Sequence, residues 1–115
     1  MKKIYYLKTC DTCKKILKTL NLKTTELQEI KSQDITIQQL EEMRSLTDSY
    51  DSLLNKRSQL YKSRGFKGTH LSENDIKKLL LEHYTFLKRP VAIVNKKIFI
   101  GNNKNNIDAL KEALK

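Results

Sequence analysis

The sequence predicts an α/β fold: a central mixed sheet assembled from a βαβ unit, a helical insert and a ββα unit. Three observations point there. An apolar run, Ile4-Tyr5-Tyr6-Leu7, leads at once into a stretch with helical spacing at Ile16, Leu17 and Leu20. Near the other end, the only proline, Pro90, precedes the β-branched run Val91-Ala92-Ile93-Val94. Between them, helix-start signals recur at Thr36 and Ser72.

Lys2–Leu7, rich in Ile and Tyr, reads as a buried strand. Asp11 to about Leu20 reads as a helix capped by Thr9 or Asp11 and ended by Asn21. Thr24–Ile30 alternates in the manner of a second strand. A right-handed crossover would set it parallel to the first. Thr36 with Gln39 three residues on matches a capping box for a helix running to about Leu46. Ser49–Leu54 and Arg57–Ser63 read as short helical pieces joined at Asn55-Lys56, and Gly65 and Gly68 mark a loop. A further helix starts at Ser72-Glu73-Asn74-Asp75, with Ile76, Leu79, Leu80 and His83 on one face. Val91–Val94 then turns at Asn95-Lys96 into an antiparallel partner, Lys97–Ile100. Gly101 breaks that strand before a last helix with its stripe at Ile107, Leu110, Ala113 and Leu114. This order is the thioredoxin arrangement, with a proline just before the third strand. One domain over residues 1–115 is expected, with the insert at about 35–87.

A chain of 115 residues with 38% hydrophobic content suits one core without disulfide staples. No apolar run approaches the length of a membrane span, and the basic start leads into no signal-peptide pattern. The cytoplasm is the expected compartment. The net charge of +10 is uneven: residues 1–23 carry seven lysines against Asp11, residues 24–53 seven acids against Lys31 and Arg44. Residues 54–72 carry five bases and no acid. Such a balance suits an acidic partner or nucleic acid, and equally a solvated lysine-rich surface. The basic segments lack interleaved aromatics and a recognition-helix motif, so sequence-specific DNA binding is not expected.

Both cysteines of the chain fall in Cys10-Asp11-Thr12-Cys13. At the first turn of a helix, free backbone N–H groups and the dipole favour the thiolate of the earlier one, and Lys14 and Lys15 lie one turn on. Cys10 is therefore the candidate nucleophile, with Cys13 inside the helix as the resolving thiol. A packed pair without chemistry and a zinc site are the other readings. The second would need two more ligands, while His70 and His83 are isolated. No bound metal or cofactor is expected. Arg89, just before Pro90 in the loop that faces the cysteine loop of such a fold, is a candidate anion ligand. Arg57 is a second candidate, although spacing alone does not place it. Either arginine could instead be an exposed surface base.

Lys8-Thr9-Cys10-Asp11-Thr12-Cys13-Lys14-Lys15, Leu53-Leu54-Asn55-Lys56-Arg57 and Phe86-Leu87-Lys88-Arg89-Pro90, followed by Val91–Val94 and Ile100-Gly101, together resemble the arsenate reductase (ArsC)/Spx family. The resemblance runs nearly end to end. It implies a thioredoxin-like fold with a helical insert and, in the enzymatic branch, attack on arsenate by Cys10 with Arg57 and Arg89 holding the oxyanion. Glutathione as co-substrate and glutaredoxin or thioredoxin as electron donor follow from the same resemblance. Two departures stand out. Gly101 occupies the place of a third arginine, and Cys13 the place of a usual serine. Both look more like the Spx branch, redox-sensing regulators that bind RNA polymerase through the C-terminal domain of its α-subunit.

Overall fold

The computed structural model describes residues 1–115 throughout. The chain forms two compact units, one from Met1–Gln33 with Arg89–Lys115 and the other from Asp34–Lys88.

The first unit is a four-stranded mixed sheet with two helices. The strands are β1 (Lys2–Tyr6), β2 (Glu26–Glu29), β3 (Val91–Val94) and β4 (Lys97–Ile100), in the spatial order β2-β1-β3-β4. β1 runs parallel to β2 and antiparallel to β3, and β3 is antiparallel to β4. The helices are α1 (Asp11–Lys18) and, at the C-terminal end, α5 (Lys104–Ala113). Alternation in the strands sends Ile4, Ala92 and Val94 to one face. There they meet Ile107, Leu110 and Leu114, with Ile16, Leu17 and Leu20 packed against the cluster. One apolar stripe from each helix thus closes one core over the sheet. β3 is buried along its whole length, as its unbroken apolar run requires. Asn95 and Lys96, both at positive φ (48° and 73°), make the tight turn into β4.

β2 departs from the simple rule of apolar residues inside. Gln28 is buried, its side-chain amide donating to the Gln33 carbonyl at 3.2 Å, while Leu27 is 42% exposed. Leu27 pairs with Ile4 and lies on β2, an edge strand of the sheet.

The second unit holds α2 (Ile37–Ser45), α3 (Gln59–Ser63) and α4 (Glu73–Glu82), with single 3₁₀ turns at Asp51–Leu53 and Tyr84–Phe86. Reciprocal capping boxes, Thr36 with Gln39 and Ser72 with Asp75, start α2 and α4. Replacing Thr36 or Ser72 by Ala should each lower the unfolding free energy by about 1 kcal/mol, measured by urea denaturation. A change below about 0.3 kcal/mol in both would show that tertiary packing alone fixes these helix starts. His83 does not continue α4. It sits at φ −151°, and its Nδ1 accepts the Thr85 N–H at 3.2 Å, capping the following 3₁₀ turn. An imidazole that can bond a backbone N–H two residues on competes with the helix, which periodicity does not register. The segment Leu53–Asn55 bonds Phe86–Lys88 through Asn55 N–H to Phe86 O (2.7 Å) and Lys88 N–H to Leu53 O (2.8 Å). No helix is long and apolar enough to cross a membrane.

Candidate active site

Cys10 itself is the N-cap of α1, rather than Thr9 or Asp11. Its φ and ψ of −93° and 112° are extended, its N–H donates to the Leu7 carbonyl at 3.1 Å, and its carbonyl accepts the Lys14 N–H at 3.1 Å. The turn from Leu7 to Cys10 therefore closes on itself and sets the sulfur at the mouth of the helix. Two residues of this arrangement were invisible in the spacing. Glu29, at the end of β2, accepts the Lys8 N–H at 2.9 Å and the Ser32 N–H at 2.7 Å, tying the cysteine loop to the neighbouring strand. These bonds outweigh its partial burial and hold its carboxyl below the ordinary range. Asn106 donates from its side chain to the Gly101 carbonyl at 2.8 Å and so secures the bend after β4.

The two thiols are free and differ sharply in surroundings. Cys13 is fully buried and Cys10 is half-buried. Burial alone would raise the Cys10 pKa. The Cys13 backbone N–H, the Cys13 thiol and the Arg89 guanidinium, which all favour the thiolate, outweigh it and pull the pKa below the ordinary thiol value. The cation that counts is thus Arg89, whereas Lys14 and Lys15 point to solvent as exposed residues. Burial pushes Cys13 the other way, up to about 11, and the neighbouring Cys10 charge adds to this against a Leu7 backbone N–H. One sulfur is poised as an anion, the other kept as a thiol.

The Cys13 shift has a definite sign for stability. Keeping Cys13 as a buried thiol contributes fully below about pH 9, the ordinary thiol value, and that contribution fades as pH rises through about 11. The urea midpoint of the wild type should therefore fall more steeply over this window than that of Cys13→Ala. Parallel curves would refute the shift.

Arg89 brings its own chemistry. Its Nε and Nη1 atoms are buried and bond no protein group, leaving donors available to an anion beside the Cys10 sulfur. Pro90 follows through a cis peptide bond and is buried, and its carbonyl accepts the Gly101 N–H at 2.9 Å. Gly101 has φ +88°, with no atom within 4 Å of where a Cβ would stand. An arginine there would have room, but it would adopt a left-handed backbone at a cost of about 1 kcal/mol or more.

Cys10, Cys13, Arg89 and Pro90 all belong to the sheet unit. Arg57 belongs to the other unit, where it is exposed, forms no ion pair, and donates its N–H to Asn55 Oδ1 at 3.1 Å. His70 is exposed and His83 serves as a cap.

The profile of the ArsC family matches residues 5–110. The chain belongs to the ArsC family. Its relatives include the regulatory protein MgsR of Bacillus subtilis, 29% identical over 106 residues, covering 90% of this chain and 84% of that protein. The global transcriptional regulator Spx 2 of Bacillus anthracis is 27% identical over 107 residues, covering 90% and 82%. Among solved structures, the arsenate reductase from Vibrio cholerae superposes with a TM-score of 0.77 at 15% identity, over 98% of this chain and 97% of that one. At that identity the match speaks for the fold, which is the thioredoxin-like fold of ArsC proteins.

Proposed function

We propose that this ArsC chain is a thiol–disulfide oxidoreductase in which Cys10 attacks and Cys13 resolves. The observation that supports it is the opposed poise of the two sulfurs beside the unpartnered donors of Arg89. With a disulfide substrate, the Cys10 thiolate forms a bond to one substrate sulfur while the other leaves and takes a proton from solvent. Cys13 then releases its proton, attacks the Cys10 sulfur and expels the second substrate thiol. The substrate gains two electrons and a Cys10–Cys13 disulfide remains. Two electrons return from glutathione, or from the dithiol of a glutaredoxin or thioredoxin, by the same exchange in reverse. Arsenate suits the same scheme. Cys10 displaces hydroxide to form a sulfur–arsenic bond, and attack by Cys13 on Cys10 expels arsenite, whose arsenic carries the two electrons lost by the cysteines. Arg89 would hold the oxyanion.

NADPH-coupled turnover should be measured with arsenate, glutathione and glutaredoxin, and separately with thioredoxin and a disulfide substrate. Turnover that exceeds a Cys10→Ser control in either system supports the proposal, and none in both defeats it. The similarity to MgsR and Spx 2 favours a second reading, a redox-switched regulator in the cytoplasm. There, a Cys10–Cys13 disulfide would alter contact with the C-terminal domain of the α-subunit of RNA polymerase. Capture of that domain in one redox state only would support this reading, and equal or absent capture in both would exclude it.

A further inference from the structure

The positive charge is segregated between the two units. The sheet unit carries fourteen lysines and arginines against five acids, the other unit nine against eight. Four of those five acids are engaged: Glu26 with Lys3 at 2.8 Å, Asp108 with Lys104 at 3.0 Å, Glu112 with Lys115 at 2.8 Å, and Glu29 with backbone N–H groups. Lys8, Lys14, Lys15 and Lys18 are exposed and form no ion pair, and all four lie within eight residues of Cys10.

Their placement is not random around the helix. Lys14 and Lys18, four residues apart, share one face of α1, and Cys10 caps the start of that helix with extended backbone, so the lysine pair begins one turn after the residue that carries the reactive sulfur. Lysines in the last turn suit the helix dipole, which accounts for Lys15 and Lys18. It does not account for Lys14, which repels Lys18 one turn away, while the one acid of α1, Asp11 in its first turn, forms no ion pair with either. An isolated helix gains nothing from that row. A ligand that lays negative charge along it while placing its own sulfur at Cys10 would gain at every step.

We propose that the Cys10–Lys14–Lys18 face is the docking track for an acidic segment of a partner protein whose disulfide or thiol exchanges with Cys10. The proposal rests on the reading of Cys10 as the exchanging thiolate, since the group at the head of the track must be a sulfur. Nucleic acid offers no such sulfur, and the track has neither arginine nor an aromatic side chain to grip bases.

The test uses the full chain and two symmetric peptide disulfides, Ac-Cys-Glu-Glu-Glu-Glu-amide and its all-glutamine counterpart. Second-order rate constants for exchange with Cys10 are measured at pH 7 in low salt and in about 0.5 M salt. The acidic peptide should react at least about tenfold faster at low salt, with the gap closing at high salt. Lys14→Gln with Lys18→Gln should shrink the ratio at least about threefold and leave the glutamine-peptide rate unchanged. A ratio unmoved by these substitutions overturns the track while the thiolate reading stands. Failure of the glutamine peptide itself to react overturns both. An oligothymidylate that blocks the glutamine-peptide reaction at physiological salt would assign the face to nucleic acid instead and likewise overturn the proposal.

Discussion

Cys10→Ser is expected to lose at least about a thousandfold in thiol exchange, because a hydroxyl at this position stays protonated where the thiolate forms. Nothing else in the site replaces the nucleophile, since Cys13 is fully buried and its pKa is raised to about 11. The contrasting variant is Cys13→Ser. It should still attack a disulfide once and then stop as a mixed disulfide on Cys10, visible as a single adduct by intact-mass measurement. If Cys10→Ser retained activity within about tenfold of the wild type, the assignment of roles to the two sulfurs would be wrong.

Phe86→Ala should cost about 3–5 kcal/mol of unfolding free energy, the usual range for deleting a buried aromatic ring. The ring is fully buried in the helical unit, edge-on to His83 at 6.4 Å between centroids and beneath the Arg64 guanidinium at 5.5 Å. Its carbonyl accepts the Asn55 N–H, so loss of the ring also loosens the pairing of Leu53–Asn55 with Phe86–Lys88. Urea denaturation measures the effect, and a loss below about 1 kcal/mol would show that the cavity collapses or that this unit contributes little to the cooperative transition.

The order of strands and helices was legible because each signal is local. The unbroken run at Val91–Val94 demands burial on both faces, and the capping boxes at Thr36 and Ser72 are patterns of side chain and backbone within four residues. The cysteine pair was legible for the same reason, and Arg89 only through the layout that sets its loop opposite the cysteine loop. What escaped depends on partners far away in sequence or on competition between local bonds. Glu29 bonds Lys8 across 21 residues, and nothing around Glu29 announces this. Gln28 is buried and Leu27 half-open because of a sheet edge, not because of either residue's polarity. Cys10 takes the capping position because Leu7 receives its N–H, leaving Thr9 in the turn. Arg57 carries no pattern that distinguishes it from any other surface base, and its role rests on the family resemblance.

The sealing of one sulfur beneath the surface while its neighbour stays open turns the molecule into its own conformational clock. A bulky maleimide should label the native chain once, at position 10, and mark the second sulfur only when the first turn of α1 unravels. Counting labels against time would then follow the local opening of that turn, with the chain's own two cysteines as the reporting sites.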